Sequence, residues 1–199
     1  GLGHATRCIP IIRELLKKKW EVILCADGAP LSLLQQEFPH LGWERLPSFS
    51  IQYPRKKSGM ICSMIKQLPA LYRSKLIDHR SAEKWVKKHR VSLIISDNRI
   101  GFFSKKCRSI YLSHQLRIAA PHPLVWGEAI VSRIHQFLAR HFDEVWVPDF
   151  SEEPSLAGKL SRGWEKGSIR YIGLLSRFSP PPKLIEEKGI LVVLSGPEP

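Results

Sequence analysis

Stretches with an apolar residue every three or four positions alternate along this chain with short, nearly continuous apolar runs. The first pattern is typical of helices with one buried face, and the second is typical of strands covered on both faces. The patterns predict helices at about Ala5–Lys19, Leu31–Glu37, Ser58–His89 with an interruption at Pro69, and Trp126–His141. They predict strands at Glu21–Ala26, Trp43–Leu46, Val91–Ser96, Ser109–Ser113, Glu144–Val147 and Ile169–Gly173. This alternation predicts an α/β fold, an open parallel sheet with helices on both faces.

The two ends of the sequence lie within α/β units that are not complete. Residues 1–4 lead into the first helix with no strand before them, so we expect the first strand of the domain to be missing. The apolar run within 189–199 predicts a strand and a turn with no helix after them, and the three prolines at 180–182 predict a stiff linker. We therefore expect one domain over residues 1–175, a linker over 176–188, and the start of a second domain over 189–199.

The chain is strongly basic. It has 31 Lys and Arg residues against 18 Asp and Glu residues, which gives a net charge of +13. Such a charge implies an anionic partner, which leaves nucleic acid, acidic lipid headgroups and phosphorylated substrates. Nucleic acid is disfavoured because no helix-turn-helix, RNA-binding or zinc module is visible.

Most of the excess positive charge lies between Arg55 and Arg90, where apolar residues are interleaved with the basic ones. A basic helix with an apolar face is suited to an anionic membrane surface. The candidate membrane-facing residues are Arg55, Lys56, Lys57, Met60, Ile61, Met64 and Ile65. The alternative is a solvated helix packed on the sheet, and the sequence leaves both interpretations open.

The four cysteines have no CxxC spacing, which argues against a zinc ribbon or a redox motif. We expect reduced thiols, a cytosolic compartment and no metal site. No apolar run approaches the roughly 20 residues that a membrane-spanning helix needs.

Polar residues follow the predicted strands where a parallel sheet binds ligands, at the carboxyl ends. The candidate binding residues are Gly1, Gly3, Asp97, Arg99, His114 and Gln115, and the candidate catalytic residue is His4. The glycines let a ligand approach the backbone, and the helix after them directs N–H groups at a phosphate or sugar hydroxyl. Asp and Arg at a strand end suit sugar hydroxyls and phosphate. We expect these segments to converge on one edge.

Each of these residues also has a purely structural interpretation. His4 is placed to act as a general base near neutral pH, but a histidine there can also cap or pack against the helix. Asp97 and Arg99 are equally compatible with a local turn and a solvated arginine. His114 is compatible with a hydrogen-bonded histidine at the rim. Position alone does not decide between these interpretations.

Several of these segments resemble GT-B glycosyltransferases, and the MurG-type enzymes most closely. Gly1-Leu2-Gly3-His4-Ala5-Thr6-Arg7 resembles their glycine-rich loop, although only two glycines are present. Ser96–Arg99, Leu112–Gln115, Val147–Asp149, Tyr171–Phe178 and Ile190–Pro199 resemble further segments of a bacterial branch of that group. The resemblance implies that the chain is the Rossmann-like N-terminal acceptor domain of a GT-B fold, with most of the donor-binding domain absent and no activity of its own.

The resemblance also implies an activity: transfer of a sugar such as N-acetylglucosamine from a nucleotide-sugar donor to a lipid-linked or glycan acceptor. Such an inverting enzyme needs no metal or other cofactor, and it would work at the cytoplasmic face of the membrane. His4 would be the base, Gly1 and Gly3 would approach the diphosphate or acceptor, and Asp97, Arg99 and His114 would line the acceptor side. A nucleotide-sugar 2-epimerase of the same fold and a non-catalytic module that binds membranes or polyanions are the alternatives.

Overall fold

A computed structural model describes residues 2–47, 60–117, 128–164 and 168–178 of the protein. The α-helices in these ranges are α1 (Leu2–Lys17), α2 (Gly28–Glu37), α3 (Met60–His89) and α4 (Glu128–Ala139). The strands are β1 (Ile23–Ala26), β2 (Gly42–Arg45), β3 (Leu93–Asp97), β4 (Arg108–Leu112), β5 (Glu144–Val147) and β6 (Ser168–Tyr171). A 3-10 helix covers Gly158–Ser161. The protein is therefore a mixed α/β structure, as the alternating patterns predict.

The first helix begins earlier than its sequence pattern indicates. We expected a loop over residues 1–4 and a helix from Ala5, but α1 begins at Leu2, so Gly3 and His4 lie in its first turn. Glycine disfavours a helix by only about 1 kcal/mol, and tertiary contacts readily override that preference. The hydroxyl of Thr6 also donates a 2.9 Å hydrogen bond to the carbonyl of Gly3. The expected loop is therefore a helix start.

The interruption expected at Pro69 is absent from α3, which runs through it as one element of 30 residues. Proline removes a single backbone donor and clashes with the preceding turn, which costs about 3 kcal/mol. A helix this long keeps its remaining hydrogen bonds on both sides of that site. The C-terminal part of α3 also packs against the sheet through Ala82, Trp85 and Val86.

Every strand pair in the described ranges is parallel, but the strands form two sheets rather than the single sheet we expected. β1 pairs with β2, while β3, β4, β5 and β6 form a four-stranded sheet in that order. In the larger sheet Asp97 is level with Leu112, and Leu112 is level with Trp146. The carboxyl ends of β3, β4 and β5 therefore lie along one edge.

Helices cover both faces of β1. Leu24 is buried with Ala5, Ile9 and Ile12 of α1 and with residues of α2. Cys25, the next residue, packs instead against the cluster that α3 forms with β3. Because successive side chains of a strand point to opposite faces, α1 and α2 lie on one side of β1 and α3 lies on the other. The start of α1 and the end of β3 are close together, since Arg7 of α1 pairs with Asp97 of β3.

The segment after β5 is organised around a single buried carboxylate. Asp149 has no exposed surface. Its oxygens accept hydrogen bonds from the backbone N–H groups of Phe150, Leu156 and Ala157 and from the hydroxyls of Ser155 and Ser161. Burial alone would raise the pKa of Asp149, but these donors outweigh it and hold the pKa well below its ordinary value.

We predict that Asp149→Asn lowers the free energy of unfolding by about 2–3 kcal/mol at pH 7. The amide nitrogen that replaces one oxygen cannot accept the hydrogen bonds made there, and buried donors lose their partner. Urea denaturation followed by circular dichroism measures the change. Glu152→Gln, at an exposed position of the same loop, is the matched control and should leave the midpoint unchanged. Equal effects of the two variants would contradict the prediction.

Candidate functional site

The turn after β3 fixes the position of Asp97. Asn98 has a φ of +54°, in the left-handed region that asparagine tolerates better than most residues. Its backbone N–H donates a 3.0 Å hydrogen bond to the carbonyl of Leu112 at the end of β4. The hydroxyl of Ser96 donates to the carbonyl of Arg99 at 2.7 Å and closes the turn. Asp97 is thus held at the carboxyl edge by contacts on both sides of it.

The side chain of Asn98 is anchored by a network of neutral groups. Its Oδ1 accepts hydrogen bonds from the Tyr111 hydroxyl at 3.1 Å and from the Ser113 hydroxyl at 3.2 Å. The Tyr111 oxygen also lies 3.1 Å from Nε2 of His135. Burial raises the pKa of Tyr111 and lowers the pKa of His135 to about 4. Both groups are therefore uncharged at neutral pH, and Nε2 of His135 donates to the tyrosine oxygen.

Arg7 and Asp97 form an ion pair that joins α1 to β3. Nε of Arg7 lies 3.0 Å from Oδ2 of Asp97, and Nη2 of Arg7 contacts Oδ1. The two side chains are only 14% and 12% exposed. Burial would raise the pKa of Asp97, but its close contacts with His4 and Arg7 and the charge of Arg7 outweigh burial, so the pKa lies below its ordinary value. Asp97 is an anion at neutral pH.

Two histidines contact the guanidinium group of Arg7. Nδ1 of His4 is 2.8 Å from Nη2 of Arg7 and 3.2 Å from Oδ2 of Asp97, and Nδ1 of His114 is 2.8 Å from Nη1 of Arg7. Burial and the positive charge of Arg7 lower the pKa of His114. We refer to these four residues, His4, Arg7, Asp97 and His114, as the Arg7 cluster. It combines an anion, a cation and two titratable rings at one edge of the sheet.

The structure brings together only some of the candidate residues. His4, Asp97 and His114 meet in the Arg7 cluster, whereas Arg99 pairs with Asp78 of α3 and donates a 2.7 Å hydrogen bond to the carbonyl of Pro47. That Arg99 lines the acceptor side stays a prediction, but its guanidinium group has partners other than the Arg7 cluster. The reason is that a buried carboxylate on α3, invisible in the local sequence, attracts it.

The remaining candidates lie at or near the same edge. Gly3 lies in the first turn of α1, where an added Cβ atom would meet no heavy atom within 4 Å. The side chain of Gln115 is exposed, and its backbone N–H donates to the hydroxyl of Ser113 at 3.1 Å. Gly1 lies outside the described residues, as do Arg55, Lys56 and Lys57. Met60, Ile61, Met64 and Ile65 lie in the first turns of α3, and their side chains are outside the description too.

Sequence reasoning missed Arg7, which His4, Asp97 and His114 all contact. The available signal was its spacing from His4, since residues three apart on a helix share a face. A second residue that was overlooked at this site is Cys8, whose Sγ lies 3.5 Å from Oδ2 of Asp97. Burial and the adjacent carboxylate raise the pKa of Cys8, so its thiol is protonated and unreactive at neutral pH.

No protein-family model, no curated protein and no solved structure matches the chain. Within the described ranges, no group of three or more His, Cys, Asp or Glu side chains is arranged to hold a metal ion. In the same ranges, none of the helices has the length and apolar character needed to cross a membrane. The geometry of the Arg7 cluster and the surface of the protein are therefore the features that indicate a function.

We predict that Asp97→Asn lowers the free energy of unfolding by about 3 kcal/mol at pH 7, because it leaves the Arg7 charge without its counter-ion. The folded-state pKa of Asp97 lies below its unfolded value of about 3.9, so its contribution to stability is complete above that value. The contribution is lost as the pH falls through the folded pKa. The stability difference between the wild type and the variant should therefore shrink in acid.

Urea denaturation at pH 7, 5 and 3 tests this pH dependence. Glu14→Gln is the matched control, because Glu14 forms an exposed pair with Lys17 on α1, the helix that carries Arg7. This variant should have the same urea midpoint as the wild type at pH 7. A loss of stability in Asp97→Asn that is equally large at all three pH values would show that charge is not its cause.

Proposed function

We propose that this chain is the Rossmann-like N-terminal domain of an inverting GT-B glycosyltransferase. The enzyme would transfer a sugar, such as N-acetylglucosamine, from a nucleotide-sugar donor to a lipid-linked or glycan acceptor. The observation that carries the proposal is the position of the Arg7 cluster at the carboxyl ends of parallel strands, where α/β sheets bind ligands. The acceptor would lie at this edge, with the donor held by a second domain.

The reaction would use His4 as its base. Nε2 of His4 takes the proton of the acceptor hydroxyl while the acceptor oxygen forms a bond to the anomeric carbon. The bond from that carbon to the diphosphate oxygen breaks, and its electron pair leaves with the nucleoside diphosphate. Asp97, 3.2 Å from Nδ1 of His4, stabilises the ring once it is protonated. The 40% exposure of the His4 side chain supports this role, because an acceptor can reach it.

We predict that His4→Ala lowers kcat by about 10²–10⁴-fold, the usual contribution of a general base. The assay requires a polypeptide in which this chain is joined to a nucleotide-sugar-binding domain, and the 199-residue chain alone should transfer no sugar. His40→Ala is the matched control, because His40 is exposed and precedes β2 at the opposite edge. A His4→Ala enzyme with nearly normal turnover would remove His4 from the base role.

Product analysis distinguishes transfer from epimerisation. Labelled UDP-N-acetylglucosamine incubated without an acceptor should remain intact in the joined polypeptide, whereas a 2-epimerase would convert it. With an acceptor present, the label should move to the acceptor. Conversion of the free nucleotide-sugar without an acceptor would favour the epimerase.

We also propose that the protein binds the anionic cytoplasmic face of the membrane. Exposed apolar side chains support this, since Tyr72 and Ile77 on α3 are 65% and 47% exposed, and Ile134 and Phe137 on α4 are 55% and 54% exposed. Arginines accompany them, and the guanidinium of Arg140 lies 3.7 Å from the ring centre of Phe137. Apolar side chains flanked by basic ones are suited to the interface of an anionic bilayer.

We predict that the chain binds vesicles containing phosphatidylglycerol and that binding weakens steeply as salt rises from 50 to about 500 mM, because screening reduces the attraction. Ile134→Ser combined with Phe137→Ser should reduce binding, measured by vesicle sedimentation. Trp20→Ser, at a 43% exposed position, is the control for loss of apolar surface elsewhere. A chain that ignores these vesicles at low salt would contradict the proposal. A non-catalytic module would bind them equally well while transferring no sugar in the joined polypeptide.

A further inference from the structure

Arg7 imposes a chemical constraint on both histidines of the cluster. A guanidinium group carries only hydrogen-bond donors and stays charged at all ordinary pH values. Nη1 lies 2.8 Å from Nδ1 of His114, and Nη2 lies 2.8 Å from Nδ1 of His4. Each Nδ1 must therefore accept a hydrogen bond. A neutral imidazole that accepts at Nδ1 carries its hydrogen on Nε2.

We propose that Arg7 is a positioning residue that holds neutral His4 and His114 in the tautomer with hydrogen on Nε2. In this tautomer Nε2 of His4 has no free lone pair and cannot take a proton from an acceptor hydroxyl. His4 becomes a base only when Nε2 gives its proton to water and Nδ1 takes a proton from water, which leaves the ring neutral with a lone pair on Nε2. That Nδ1–H then donates to Asp97. The inference rests on the proposed function for its catalytic meaning, but not for its geometry.

The distances favour Arg7 over Asp97 as the resting partner of His4. Nδ1 of His4 is 2.8 Å from Nη2 of Arg7 but 3.3 Å and 3.2 Å from the two oxygens of Asp97. Both of those oxygens already accept hydrogen bonds from Arg7. In the alternative tautomer, an Nδ1–H group of His4 would face an N–H group of Arg7 at this short distance. The repulsion between them opposes that tautomer as long as Arg7 keeps its place.

His114 is held in the same way, by a 2.8 Å contact between its Nδ1 and Nη1 of Arg7. Burial lowers the pKa of His114, and the positive charge of Arg7 lowers it further. A neutral His114 that accepts from Arg7 presents an Nε2–H donor. The resting cluster therefore offers two N–H donors, which suit the oxygen atom of a hydroxyl or a phosphate. While Arg7 keeps both rings in this tautomer, the cluster can donate hydrogen bonds to a ligand. Only the other tautomer of His4 can act as a base.

Nuclear magnetic resonance of the 199-residue chain labelled with ¹⁵N-histidine tests the inference directly. Long-range ¹H–¹⁵N spectra at pH 8.5, above the ordinary histidine pKa of about 6.5, distinguish the two tautomers of a neutral ring. We expect the Nε2–H pattern for both His4 and His114, each assigned by its replacement with Gln. In Arg7→Met we expect His4 to change to the Nδ1–H pattern, because Asp97 becomes its remaining partner.

Arg13→Met is the matched control, since Arg13 also lies on α1 but pairs with Glu37. It should leave both ring patterns as they are in the wild type. A wild-type spectrum with hydrogen on Nδ1 of His4 overturns the inference, and this result is available even if Arg7→Met does not fold. Unchanged patterns in a folded Arg7→Met chain overturn it as well.

These outcomes are separable from those of the proposed function, because the spectra require no substrate. Nε2–H patterns in the wild type, together with no sugar transfer by the joined polypeptide, would leave the positioning role intact and remove the glycosyltransferase. Sugar transfer together with an Nδ1–H pattern at His4 in the resting chain would support the glycosyltransferase and overturn the positioning role of Arg7.

Discussion

The ion pair between Arg7 and Asp97 is the contact on which the carboxyl edge of the sheet depends. It joins the first helix to a strand that comes 90 positions later, and both side chains are almost buried. Removing either partner would leave the other as a charge with little access to water, which typically costs 3–5 kcal/mol. His4 and His114 are placed by the same guanidinium group. The position of the helix and the chemistry of the edge therefore have one common cause.

The hydrogen-bond network next to this ion pair consists of uncharged side chains, so it does not compete with Arg7 for the carboxylate of Asp97. Asn98 is tied to Tyr111 and Ser113, and Tyr111 is tied to His135. Burial keeps the tyrosine protonated and holds the pKa of His135 at about 4. This network adds no charge beside Asp97 between about pH 5 and pH 9.

The convergence of His4, Asp97 and His114 follows from a rule that sequence patterns can reveal, because parallel strands place their carboxyl ends along one edge. The position of Arg99 follows from no such rule. Its guanidinium pairs with Asp78, a residue on a helix whose packing is decided by the whole fold. The sequence pattern does not predict a buried role for Arg7, because an arginine on a helix usually belongs to the solvated face. Its burial depends on a carboxylate that only the folded chain supplies.

The charge of Arg7 has a further consequence for how a ligand would reach the site. Because Asp97 neutralises it at close range, the pair contributes little to the field felt by an approaching anion. The attraction must come from the rest of the chain, where 31 basic residues outnumber 18 acidic ones. Attraction over distance and recognition at the edge are thus carried by different residues. A change in surface charge would alter the rate at which an anionic ligand arrives, while the Arg7 cluster would still determine how that ligand is held.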